Sequence, residues 1–123
     1  MASVDYFERK LDDKRRLTIP VELRNEFASG VVITRGFGQY LHLYPKQVWE
    51  REVEPALVSS IFDEKIADLN VKFRRGKTEA DLDQKQGRVT IEQHLLDYAG
   101  IDHELVAVRV GAYWRILSPK ADI

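Results

Sequence analysis

The residues with the clearest chemistry are cations gathered in two short polar segments. Lys14, Arg15 and Arg16 follow Asp12-Asp13, and Lys85 and Arg88 flank Gln86-Gly87 after Gln84. Each segment ends in arginine and runs straight into a hydrophobic-Thr-Ile stretch, Leu17-Thr18-Ile19 in one case and Val89-Thr90-Ile91 in the other. Arg16 matches Arg88, Thr18 matches Thr90 and Ile19 matches Ile91, all at one constant offset. Such side chains can neutralise phosphates and release condensed counterions, and arginine can also fork onto the O6 and N7 edge of guanine. Carried on a short tip, they could enter a major groove as a β-ribbon does. The same residues also fit a plainer reading, turns in solvent whose bases pair with Asp12 and Asp13. Both readings stand on the residues alone. The recurrence adds one consideration: a repeated surface suits a repeated ligand better than a single catalytic centre.

Other reactive residues give less. Arg74, Arg75 and Lys77 fall where cations complement the end of a helix dipole, with a DNA-backbone contact as the alternative. Trp49 and Trp114 sit in amphipathic stretches and read as packing residues. His42, His94 and His103 are scattered, and no pair has helical metal-ligand spacing. Asp12-Asp13 could hold a divalent cation as part of a hydrolase site, although adjacent acids beside three bases form local ion pairs more simply. Gly36-Phe37-Gly38 lacks the third glycine of a dinucleotide loop and lies between strands. Neither a Gly-x-Ser-x-Gly elbow nor a P-loop occurs. We expect no enzyme, no cofactor and no small-molecule substrate.

Two similar sets of elements must position the basic segments. Val4 to Leu11 reads as a first strand, Asp12-Asp13-Lys14-Arg15 as a turn, and Leu17-Thr18-Ile19 as a short strand. Pro20 opens a helix through Glu26 or Phe27, and Gly30 provides its exit. Val31 to Arg35 and Tyr40 to Tyr44 make a hairpin around Gly36-Phe37-Gly38-Gln39, ended by Pro45. The second set repeats this order: lead-in from Lys77 to Leu82, turn from Gln84 to Gly87, strand, helix from Glu92 to Ala99, then a hairpin around Gly111-Ala112. Between the sets, Lys46 to Val53 is helical with Pro55 limiting its continuation. Ser60 and Asp63 resemble a capping box, and Phe62, Ile66, Leu69 and Phe73 form one apolar helical stripe that we expect in the core. The chain therefore reads as a β-rich mixed α/β protein, a single domain of two tandem halves (4–45 and 77–119) with a helical insert (46–76).

Composition fits that size. The 123 residues are 44% hydrophobic, enough for one core, and no apolar run approaches the ~20 residues of a bilayer span. There is no cysteine, hence no disulfide framework or thiolate metal site, and the N-terminal residues show no apolar signal core. We expect a soluble, cytoplasmic protein without membrane partners. Net charge is −1, so the charge distribution, rather than its total, is what points to a polyanion.

With the doubled basic turn and strand-helix-hairpin unit in view, the sequence resembles the MraZ family of bacterial regulators, within the AbrB-like, swapped-hairpin group. That family carries an Asp-x-Lys-Gly-Arg motif twice, each followed by an apolar strand and Pro. Here the copies are Asp12-Asp13-Lys14-Arg15-Arg16 before Leu17-Thr18-Ile19-Pro20 and Arg24, and Lys85-Gln86-Gly87-Arg88 before Val89-Thr90-Ile91. Arg15 stands in the glycine place, Asp83 lies one position further from Arg88 than the pattern has it, and Glu92 replaces Pro. The first turn should then use another turn type or avoid positive φ. The resemblance implies a small pseudo-twofold swapped-hairpin barrel with inserted helices. It also implies a ring-shaped homo-oligomer, nucleoid-associated, that binds repeated boxes in double-stranded promoter DNA of a division and cell-wall gene cluster, including its own promoter. Lys14, Arg15, Arg16, Lys85 and Arg88 would be its DNA-binding residues. An antitoxin-like or other protein-interaction module of the same fold is the alternative.

Overall fold

The structure, a computed structural model, describes residues 4–83 and 85–121, so Gln84 of the second basic turn lies outside the described residues. Alternating or β-branched stretches form strands β1 (Tyr6–Lys10), β2 (Arg16–Thr18), β3 (Val31–Arg35), β4 (Leu41–Pro45), β5 (Thr78–Ala80), β6 (Arg88–Thr90), β7 (Glu104–Val110) and β8 (Tyr113–Leu117). Six of these make one antiparallel sheet in the order β1-β7-β8-β4-β3-β5, and β2 pairs β6 in a separate two-stranded ribbon. The order is palindromic: exchanging β1 with β5, β7 with β3 and β8 with β4 returns the same sheet. The central pair, β4 with β8, and the outer pair β1 with β7 join the early part of the chain to the late part.

The sheet is covered on both faces, which explains why β3 opens with three successive apolar residues, Val31, Val32 and Ile33. Val31 and Ile33 point into the larger core with Leu17, Phe27, Leu41, Leu95, Trp114 and Ile116. Val32 points the other way, into a smaller core with Tyr44, Trp49, Leu57 and Phe73. A strand buried on both faces loses the polar alternation of a half-exposed one. On the second face His42 is fully buried, ringed by Phe37, Tyr40, Tyr44, Phe73 and Tyr113 with centroids 4.8 to 5.8 Å away. Its Nδ1 lies 2.7 Å from the Tyr44 hydroxyl.

The helical parts differ from expectation in three places. After Pro20 the chain forms a 3₁₀ helix, Val21–Phe27, whereas the matching segment of the second half is α-helical, α4 (Gln93–Ala99). Pro55 does not end the next helix: α1 (Lys46–Val48), a π-helical turn (Trp49–Val53) and α2 (Glu54–Val58) run on without a break. A proline deprives the helix of one N–H and crowds the carbonyl four residues earlier. The π turn answers this by widening the spiral, and the Glu54 N–H bonds the Trp49 carbonyl five residues back. Finally, α3 (Glu64–Arg74) starts later than the apolar stripe suggested. Asp63, rather than Ser60, caps it, with Oδ1 accepting from the N–H groups of Lys65 and Ile66 at 2.8 and 3.4 Å. Phe62 therefore precedes the helix and is 97% exposed, while Phe73 at the other end of the stripe is buried. Among the described residues no helix is long and apolar enough to cross a membrane.

Candidate nucleic-acid interface

Both basic segments become narrow turns organised by one aspartate each. In the first, Asp12 Oδ1 accepts from the N–H groups of Lys14 and Arg16 at 2.9 and 2.8 Å, while Oδ2 takes the Arg16 Nε at 2.6 Å. In the second, Asp83 Oδ1 accepts from the N–H groups of Lys85 and Gln86, and Oδ2 takes an Arg88 terminal nitrogen at 2.8 Å. Asp side chains favour this bonding to their own turn. The extra residue between Asp83 and Arg88 is absorbed by the backbone: Gly87 N–H bonds the Asp83 carbonyl, where Arg15 N–H bonds that of Asp12. Both turns then close alike, with Asp12 N–H on the Arg16 carbonyl and Asp83 N–H on that of Arg88.

The electrostatics follow from this bonding. The Arg88 guanidinium first, then the turn N–H groups, hold the Asp83 carboxyl down at about 2. For Asp12 desolvation pushes upward, yet the backbone and side chain of Arg16 and the backbone of Lys14 outweigh it, leaving the carboxyl below its usual range. Both acids therefore stay ionised at neutral pH and keep their arginines oriented.

The turns also share the backbone shape that glycine favours. Gly87 has φ 64° and Arg15 has φ 59°. The first turn thus does not avoid positive φ; it places an arginine there, at roughly 1–2 kcal/mol for an L-residue. The two sites differ in what surrounds them. At Gly87 the Arg24 guanidinium occupies the place a Cβ would take, and Arg24 Nε donates to the Ile19 carbonyl at 3.0 Å. The counterpart of Arg24 in the second half is the buried, uncharged Leu96. Each turn accordingly gathers three cations: Lys14, Arg15 and Arg16 at one, Lys85, Arg88 and Arg24 at the other.

The ribbon fixes where these turns stand. In its register Arg16 faces Thr90, Leu17 faces Val89 and Thr18 faces Arg88, so the two arginines mark opposite ends. The ribbon is prolonged symmetrically by Ile19 N–H on the Gly87 carbonyl and Ile91 N–H on the Arg15 carbonyl, at 2.8 and 2.9 Å. Leu17, Ile19, Val89 and Ile91 are buried beneath it. Lys14 and Lys85 are exposed, whereas Arg15, Arg16 and Arg88 are half-buried. The cations thus crown the two ends of one strand pair rather than a single tip. Sequence reading passed over Arg24 as a reaching residue; the signal available was its place just after the first motif. Arg9, whose Nε donates to the Thr18 carbonyl at 3.1 Å, also flanks the ribbon.

The remaining candidates are occupied elsewhere. Arg74 pairs with Glu54 and donates to Asn70, and Lys77 lies over the Trp49 ring at 5.0 Å. Trp49 and Trp114 are buried in the two cores. Asp12 is saturated by its own turn, and among the described residues no three His, Asp or Glu converge on a common point.

Comparison with known proteins agrees with the motifs. Residues 5–69 match the family model described as "MraZ protein, putative antitoxin-like". The chain is 39% identical over 113 residues to a protein named transcriptional regulator MraZ in Moorella thermoacetica, covering 91% of this chain and 78% of that one. Proteins of the same name in Salinispora arenicola and Roseiflexus castenholzii are 37% and 34% identical, over 87% and 93% of this chain and 73% and 79% of theirs. A family match across most of β1 to α3, with relatives aligned through both basic turns, makes this chain a member of the MraZ family.

Proposed function

We propose that this chain is a sequence-specific DNA-binding transcriptional regulator. Its two basic turns contact promoter DNA at repeated boxes, its own promoter among them, in a cluster of division and cell-wall genes. The two halves act as tandem copies of one unit in a swapped-hairpin barrel, and several chains form a ring in the nucleoid. The observation carrying this reading is the pair of Asp-braced turns with three cations each at opposite ends of one β-ribbon. Lys14 and Lys85 are placed to neutralise phosphates. Arg16 and Arg88, each held by its aspartate, are oriented before binding, which lowers the ordering cost of a base-edge contact. A single ribbon offers few phosphate contacts, and non-specific affinity is only about 10⁻⁴ to 10⁻⁶ M. Several ribbons on one assembly raise the effective concentration when DNA boxes match their spacing.

Gel retardation with the DNA immediately upstream of the chain's own gene tests the reading. Wild type should retard it, Lys14→Ala and Arg16→Ala should weaken it, and each lost phosphate contact should flatten the salt slope by ~0.9. Unchanged affinity in both variants would overturn the assignment of the site. The antitoxin-like wording of the family description supports a second reading, a module that neutralises a partner protein. That reading gains if a small protein co-purifies and no DNA is retarded at low salt.

A further inference from the structure

The two ends of the ribbon share a backbone and differ in one pair of side chains. Arg15 and Gly87 have φ 59° and 64°, and each N–H bonds the carbonyl of its bracing aspartate. Their own carbonyls accept from the Ile91 and Ile19 N–H groups. Residues 15 and 87 are therefore the same place in the turn, and a Cβ leaves both in the same direction. At Gly87 that direction is blocked. A Cβ there would stand 2.6 Å from the Arg24 Cζ, and the guanidinium is anchored by its Nε bond to the Ile19 carbonyl at 3.0 Å. The offset that matches Arg16 with Arg88 matches Arg24 with Leu96, which is buried and has no charge to lay over the first turn. The end that lacks the helix arginine is thus the end that has lost its glycine. The Arg15 side chain sets out into the place that the Arg24 guanidinium fills at the other end. It is half-buried, with its Nε enclosed and, among the described residues, unpartnered.

We propose that Arg15 and Arg24 serve one purpose at opposite ends, each laying a guanidinium across the left-handed corner of a turn for a DNA phosphate. Positions 15 and 96, like positions 87 and 24, are then coupled, and each pair takes one arginine. This deepens the proposed function and rests on it for the ligand; the coupling itself does not depend on DNA. A strained arginine in the turn and a leucine in the helix would each spoil a phosphate-binding corner if it occurred alone. Together they return the same charge by a different route. The planar fork of a guanidinium fits phosphate oxygens, so where its plane lies matters more than which element carries it. Arg15 is the first turn's substitute for a helix arginine, and by it the ribbon keeps three cations at each end.

Urea denaturation and gel retardation of full-chain variants test this. Gly87→Arg should lower the urea midpoint, because two guanidinia then meet in one place. Adding Arg24→Leu should recover part of that loss, so the double-mutant cycle of these two changes shows a favourable coupling. Additive midpoints in that cycle overturn the proposal. With the upstream DNA, Arg15→Gly should flatten the salt slope by ~0.9, the share of one phosphate, and adding Leu96→Arg should restore it. A folded Arg15→Gly/Leu96→Arg chain whose slope stays flat overturns the proposal as well. Leu96 lies in the larger core, so if its variant unfolds the reciprocal pair decides. Arg24→Leu should flatten the slope by the same ~0.9 and Gly87→Arg/Arg24→Leu should restore it, a slope still flat in the double variant being the contrary result. A wild-type chain that ignores the upstream DNA sinks the DNA reading alone, since the urea cycle still judges the coupling. Retarded DNA with additive midpoints sinks the coupling alone.

Discussion

Arg15 holds a conformation that its counterpart Gly87 adopts at little cost. Relieving it separates stability from binding. Arg15→Gly should raise stability by about 1 kcal/mol, since glycine enters positive φ freely. In the same variant, retardation of the upstream DNA should weaken, because one of three cations at that turn is gone. A chemical-denaturation curve beside a gel shift reads both effects, and a variant that is neither more stable nor weaker in binding contradicts the account. The aspartate braces behave differently. The Arg16–Asp12 pair is about one-third exposed on each side, so solvent screening keeps its direct contribution to stability small. Arg16→Ala should thus cost far more in DNA affinity than in melting temperature. The motif residues were legible in the sequence because spacing and type repeat. The left-handed turn at Arg15 was not, because a side-chain identity that disfavours positive φ gives no hint that the surrounding hydrogen bonds impose it.

At the level of elements, the insert is held to the sheet by the smaller core, and Phe73 is its anchor. Phe73→Ala should destabilise the protein by about 3–5 kcal/mol. The two tryptophans report on different cores, Trp49 on the smaller and Trp114 on the larger. Comparing the fluorescence of Phe73→Ala with that of Phe73→Ala carrying Trp114→Phe should place the emission shift on Trp49. A shift that disappears with Trp114 would mean the cores are not separately packed. The hairpins around Gly36 and Gly111 and the second helix were readable from period and glycine placement. The path through Pro55 was not, since the rule that proline stops a helix assumes α-helical spacing, and a π turn changes the spacing. The start of α3 was misread for another reason: an apolar period of 3.6 continues into Phe62, but the carboxylate of Asp63 bonds the N–H groups that decide where the helix begins.

For the whole molecule, the buried histidine sets a pH limit. Burial, and then the positive charge of Arg115, push the His42 ring down to about 4. In an unfolded chain the ring titrates near 6.5, so between about 4 and 6.5 the unfolded state binds a proton that the folded state refuses. Stability should be full above pH 6.5 and fall by roughly 3 kcal/mol as pH drops to 4, with no further loss from His42 below that. Urea midpoints across this range should show the fall, and His42→Gln should flatten it; an equal slope in that variant places the effect elsewhere. Below pH 4 the unfolded chain protonates Asp83 while the folded brace stays ionised, which adds a second loss that is complete once pH falls through about 2. The palindromic sheet has a consequence of a different kind, in the order of synthesis. Tyr6 pairs with Val108, and Leu41 pairs with Ile116, so the first strand has no sheet partner, and β4 only one of its two, until the β7–β8 hairpin leaves the ribosome. The local β3–β4 hairpin, then the β3–β5 pair and the β2–β6 ribbon, have their partners earlier. Contacts this distant along the chain slow folding and leave edges open meanwhile. A chain cut after β6 would leave Phe7, Leu41 and Leu43 without Leu105, Ala107, Trp114 and Ile116 of their shared core, which makes the fourteen residues of β7, β8 and their turn the step that joins the two ends of the sheet.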